Sequence, residues 1–152
     1  MFGVAYAIPL PRGAKIPNSY KQLHKESIDN IESVNGWDLE KGFDIPSGSE
    51  DWRETQWSGW LAKKLDGIPE ARTYTGQRVD ILTSEYAIEV GWAKESVISQ
   101  DIEQTKSYAH MTYRKPAIIW LSDDSEKSKK AIKIMQVRCQ YQNIKLYIQR
   151  VK

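Results

Sequence analysis

Two acids stand inside apolar, β-type runs. Asp80 lies in Arg78–Leu82 (RVDIL) and Glu89 in Tyr86–Trp92 (YAIEVGW). A charge in such a run is costly, because burial strips its hydration. Only the short turn Thr83-Ser84-Glu85 separates the two runs, so they are expected to pair and to bring both carboxylates to one end or face of a twisted hairpin. Carboxylates that close repel unless a cation sits between them. A hard divalent cation such as Mg²⁺, with Mn²⁺ as its substitute, takes oxygen ligands of this kind and keeps several waters. Lys94 lies five residues beyond Glu89, and an ammonium there can orient a metal-bound water or stabilise charge on a phosphate. Glu54, on the preceding segment, offers a further acid, and Gln104, on the following one, can orient a water or a phosphate.

These residues need elements to position them. Ser49–Leu65 reads as a helix: Ser49 is a plausible N-cap, Glu50 and Asp51 suit the positive end of the dipole, and Trp52, Trp57, Trp60, Leu61 and Leu65 form an apolar face. Asp66-Gly67 ends it and Pro69 prevents a restart. Ala71–Tyr74, Arg78–Leu82 and Tyr86–Trp92 are short, turn-separated and β-rich, the pattern of an antiparallel meander. Val97–Tyr113 reads as a second helix and Ser125–Gln142 as a third. Between them Ala117–Leu121 (AIIWL) is wholly apolar, as in a central strand covered on both faces. Ile144–Val151 alternates like an edge strand. Upstream, Gly3–Ile8 reads as a strand, Asn18–Val34 as a helix and Gly36–Gly48 as a loop. From Ser49 onward the order is αβββαβαβ, an α/β domain with a mixed sheet.

Composition narrows the chemistry. The chain has 152 residues, of which 40% are apolar and 28% charged, enough for one packed domain and too apolar for disorder. A single cysteine, Cys139, excludes an intrachain disulfide and a Cys-based zinc cluster, and two histidines, His24 and His110, are too few for a His-based zinc site. No apolar run approaches the ~20 residues of a membrane span. The start, MFGVAYAIPLP, lacks a basic leader, so a strand and a cytoplasmic protein are expected rather than a signal peptide. The net charge of +2 hides an asymmetry: residues 1–92 carry 10 basic and 14 acidic groups, and residues 93–152 carry 12 and 6. Acids concentrated early and bases late can indicate nucleic-acid contact.

The order αβββαβ, with Asp80 on one strand, Glu89 on the next and a lysine close behind, resembles the PD-(D/E)XK nuclease superfamily. The segment from Arg78 to Ala109 is similar to a bacterial and phage branch of it, through Asp80, Ala87-Ile88-Glu89-Val90, Trp92, Lys94, Gln104 and Tyr108-Ala109. The resemblance spans Glu54 to Leu121, about half the chain. It implies a restriction-endonuclease-like core, with a further C-terminal helix and strand, and Mg²⁺-dependent hydrolysis of phosphodiester bonds, usually in DNA. Asp80, Glu89 and the carbonyl of Val90 would hold the metal, Lys94 would position water, and Glu54 would be an auxiliary acid. The superfamily's usual lysine stands two residues after the second acid, where this chain has Gly91. The expected organisation is one nuclease-like domain, with residues 1–48 as an N-terminal extension that supplies specificity or a dimer contact and residues 49–152 as the core.

Lys127 and Lys130, on the third helix, and Trp92 are the candidate contacts to nucleic acid. Trp37 joins Trp92 as a tryptophan open to substrate contact, whereas Trp52, Trp57, Trp60 and Trp120 read as core, Cys139 as a buried small residue, and the histidines as surface or structural groups. A homodimer would suit cleavage of both strands. Two rivals stand beside the nuclease: a nuclease-fold binding module that has lost catalysis, which Gly91 favours, and a protein-interaction domain such as an inhibitor or phage accessory factor.

Overall fold

A computed structural model of the chain describes residues 30–152. The expected strand at Gly3–Ile8 and the first part of the expected Asn18–Val34 helix lie outside the described residues. The remainder of that helix is a single 3-10 turn, Ile31–Ser33, capped by the Asn30 side chain, and Val34 is already extended.

Three α-helices and five strands follow: α1 (Glu54–Lys64), β1 (Ile68–Arg72), β2 (Arg78–Leu82), β3 (Tyr86–Trp92), α2 (Ile98–Thr112), β4 (Lys115–Ser122), α3 (Glu126–Gln142) and β5 (Lys145–Arg150). The strands form one sheet in the order β1-β2-β3-β4-β5. β1 to β3 are the expected antiparallel meander, and β3, β4 and β5 run parallel. The mixed sheet thus has its parallel half joined by the α2 and α3 crossovers, and the α/β class follows directly.

The starts of α1 and β1 depart furthest from the pattern read in sequence, and β4 takes in Lys115 and Pro116 as well. α1 begins at Glu54 rather than near Ser49, because Ser49–Trp52 closes a turn of its own and the Gln56 side chain accepts the Arg53 N–H at 2.9 Å, starting the helix there. Ser49 is a buried residue whose hydroxyl donates to Pro46 O at 2.8 Å. β1 begins at Ile68 and includes Pro69, which an edge strand tolerates because one side of its backbone needs no ladder partner.

The core lies in layers on the two faces of the sheet. On one face α1 contributes Trp57, Leu61 and Leu65 against Ile81, Ile88, Val90 and Ile119. On the other, Ile98 and Ile102 of α2 and Met135 and Cys139 of α3 pack on Ile118 and Trp120 of β4. Trp57, Trp120 and Cys139 are core residues as expected, and Trp52 and Trp60 are partly buried against the first layer. His110 is exposed, and His24 lies outside the described residues. β5 is an edge strand, and its edge is covered: Arg150 N–H donates to Lys41 O at 2.8 Å, and the buried Gln149 side chain bonds both the N–H and the C=O of Phe43 at 2.9 Å. The expected 36–48 loop is therefore tied down along β5, the usual protection of an exposed edge.

Candidate metal and catalytic site

β2 and β3 form ladder pairs only at Ile81–Ile88 and Leu82–Ala87. One step further the register would set Asp80 beside Glu89, and there the two strands part. The Asp80 carboxylate fills the gap, its Oδ2 accepting the Val90 N–H at 2.8 Å. The N–H and C=O of a residue in an extended strand leave on the same edge, so the Val90 carbonyl also faces this gap. A twisted hairpin that opens at its end thus places two acids and one carbonyl together.

α2 is pinned over the same place. The buried Thr105 hydroxyl donates to the carbonyls of Ala87 on β3 and Ala117 on β4, at 3.2 and 2.8 Å. This sets Asp101, one turn earlier, against Glu89, and Tyr108 alongside. Asp101 is 5% exposed, and its Oδ2 accepts the Trp120 indole N–H at 2.8 Å. The carboxyl of Glu89, 7% exposed, stands among those of Asp80 and Asp101. Gly91, two residues on, has no room for a side chain: a Cβ there would stand 2.8 Å from Asp101 Oδ2.

These groups line one polar cavity of about 380 Å³, together with Glu54, Lys94, Gln104 and Trp92. Burial is the largest cause of the raised Glu89 pKa, which the charge and hydrogen bond of Asp80 lift further, to about 10. Burial also raises Asp80 and Asp101, opposed by the Val90 N–H in the first case and the Trp120 N–H in the second. All three carboxyls are therefore pushed toward their protonated forms. Glu54, exposed on the first turn of α1, is raised by desolvation and by the charges of Asp80 and Asp101, and lowered by Lys94. Tyr108 is held above its ordinary range by burial and by the same acids. A site so rich in carboxylates binds a proton when nothing else neutralises it, and the same electrostatics favour a cation.

The fold brings together Glu54, Asp80, Glu89, Val90, Lys94 and Gln104, with Trp92 half-buried at the cavity wall. It does not bring the α3 lysines there. Lys127 is exposed and lines no part of this cavity, and Lys130 pairs with Glu95 at 3.5 Å, one residue beyond Lys94. Lys129, Lys130, Lys133 and Arg150 instead face a second cavity, of about 610 Å³, near the C-terminal ends of β4 and β5. Its cations are interleaved with acids: Lys129 pairs with Glu126, and Arg150 with Asp124.

Asp101 and Trp120 were not expected in the site. In sequence Asp101 is an ordinary acid in the first turn of a helix, where the dipole favours it. The available signal was its spacing: Asp101, Thr105 and Tyr108 recur at i, i+4 and i+7 on the face that also buries Ile98 and Ile102. A polar stripe on a buried helix face needs partners, and these are they.

Among the described residues, no group of three or more His, Cys, Asp or Glu side chains is disposed to hold a metal ion between them, and no helix is long and apolar enough to cross a membrane. The donor set suits a hard cation held through few protein ligands: Asp80 and Glu89 are oxygen donors that line the same cavity. Mg²⁺ is commonly bound through one or two carboxylates and its own waters, so a preformed cage is not required. In comparisons with family models, curated proteins and solved structures, nothing matches this chain.

Proposed function

We propose that the chain is a Mg²⁺-dependent DNA endonuclease of restriction-endonuclease-like fold. One observation carries this reading: the parting of β2 and β3 at Asp80 and Glu89 opens a polar cavity that gathers buried carboxylates opposite a lysine. Acids converge this way when a cation is to be held, and a phosphodiester needs both charge neutralisation and an activated water.

Asp80, Glu89 and the Val90 carbonyl would hold the ion. When bound, the cation lowers the pKa of a water and screens the scissile phosphate. The protein's own groups do the rest. The Val90 N–H fixes the Asp80 carboxylate, so that it faces the gap without a search for rotamers. Lys94 is exposed at the cavity mouth, where its ammonium can meet a phosphate oxygen and orient the attacking water. Glu54, weakened as an acid by its neighbours, can accept a proton at the rim. Gln104 offers an amide to the same water or to the phosphate. Trp92 lines the cavity and can border a base. Lys130, fixed by Glu95 beside the Lys94 segment, and Lys127 on the outer surface of α3 would follow the phosphate backbone away from the cut. Cutting both strands calls for two sites, hence a homodimer, and a free buried thiol at Cys139 suits a cytoplasmic location.

A second reading, a nuclease-fold module that binds nucleic acid without cutting it, is favoured by Gly91, which leaves β3 without the usual lysine. A plasmid-nicking assay with Mg²⁺ against EDTA separates the two. Cleavage that needs Mg²⁺ and is lost in Asp80→Asn supports the endonuclease. Salt-sensitive DNA binding with no cleavage by wild type on supercoiled, linear or branched DNA replaces it with the binding module.

A further inference from the structure

The cavity holds one carboxylate to which the proposed reaction assigns no role. Asp101 is reached from behind by Trp120: the indole N–H of this wholly buried β4 residue donates to Oδ2 at 2.8 Å. Asp101 in turn faces Glu89 across the same cavity, against Gly91, two residues from that acid. A polar chain thus runs from the centre of the sheet, through Asp101, to the acid at the cavity. An indole N–H on a core strand needs an acceptor, and an acid from the facing helix supplies it. Asp101 has little freedom, because the Thr105 hydroxyl fixes the next turn of α2 to the carbonyls of β3 and β4.

Gly91 completes the arrangement. Any side chain at this position would have its first carbon 2.8 Å from Asp101 Oδ2, so a residue there and Asp101 exclude one another. A lysine after Glu89 on β3 is therefore incompatible with Asp101 where it stands. Among the described residues lining the cavity, Lys94 is the only cation.

We propose that Asp101 is a positioning residue: braced by Trp120 and given room by Gly91, it fixes the carboxylate of Glu89 in the direction of Asp80. Groups that orient a metal ligand from behind commonly change metal affinity by 10–100-fold when removed. This inference rests on the reading of Asp80 and Glu89 as a cation site, and the test keeps the two apart.

Mn²⁺ binding is measured by titration calorimetry on the whole chain, for wild type, Asp80→Asn, Asp101→Ala, Asp101→Asn and Trp120→Phe, each first checked for cooperative unfolding. Wild type is expected to bind Mn²⁺ and Asp80→Asn to lose it. Asp101→Ala and Trp120→Phe should weaken binding about tenfold or more. Asp101→Asn should restore most of the affinity, since its amide accepts from Trp120 and donates to Glu89. If Asp101→Asn is as weak as Asp101→Ala, Asp101 acts through its charge alone and the positioning role is overturned. Wild-type affinity in both Asp101→Ala and Trp120→Phe overturns it too, while loss in Asp80→Asn leaves the cation site standing. No Mn²⁺ binding by wild type removes the cation site and this role with it. A metal-free readout accompanies these: Gly91→Ala should lower Tm in wild type and far less in the Asp101→Ala background. Equal losses in the two backgrounds would refute the mutual exclusion.

Discussion

Glu89→Gln should make the protein more stable at neutral pH. Glu89 ionises near 4.5 in an unfolded chain and near 10 in the folded one, chiefly because burial and the Asp80 charge disfavour its anion. The folded state consequently holds a proton that the unfolded state has released, and stability falls as pH rises from about 4.5 toward about 10. At pH 7, holding that proton costs about 3 kcal/mol, from 1.36 kcal/mol for each pKa unit between 4.5 and the ambient pH. The carboxamide has the shape of the protonated acid and can donate to Asp80 or Asp101 with no proton to hold. Because the cavity admits water, the realised gain is expected to be about 1–3 kcal/mol, or roughly 3–10 °C in Tm for a chain of this length. Thermal unfolding of both proteins, followed by circular dichroism in excess EDTA from pH 4.5 to 8, reads the effect directly. The Tm difference should be close to zero at the acid end and grow steadily with pH. A Glu89→Gln protein less stable than wild type at pH 8, or an offset that does not change with pH, would refute the account of the site as a strained cluster of acids.

Three other outcomes follow from named contacts. Lys94→Ala removes an exposed side chain, so unfolding should shift by less than about 0.5 kcal/mol while Mg²⁺-dependent nicking falls by about 10²-fold; the pairing of the two assays is the check. Thr105→Val is nearly isosteric but leaves the Ala87 and Ala117 carbonyls without their hydroxyl donor, a loss of about 1–3 kcal/mol in urea unfolding. Gln149→Leu breaks both bonds to Phe43 and should free the 38–44 segment, seen as faster limited proteolysis there and a lower urea midpoint.

The elements were largely legible because their signals are local. RVDIL and YAIEVGW became β2 and β3 at the limits read from their composition, since β-branched and aromatic residues between turns need no distant information to be recognised. AIIWL became an inner strand for the same reason, its apolar side chains serving both faces. The start of α1 is not legible in sequence because a serine followed by acids fits a helix cap and a tight turn equally well, and the Gln56 side chain on Arg53 sets it. The 3-10 turn at Ile31–Ser33 escaped because periodic apolar residues alone do not distinguish one turn from a longer helix.

The sequence by itself determined the order of the elements and that Asp80 and Glu89 come to the same end of one hairpin. Two acids across a short turn come together whatever the rest of the chain does, because a hairpin's register is set within it. Tertiary structure alone decided that the hairpin opens at Asp80, that Asp101 stands between Trp120 and Glu89, and that Gly91 is bare to admit it. Each depends on how α2 lies across β3 and β4, which Thr105 and the apolar layer beneath it settle over separations that no local pattern encodes. It also decided that Lys130 is held by Glu95 and that Lys127 stands away from the cavity. A run of lysines on a helix specifies its charge, and only the packing of that helix specifies where the charge is directed.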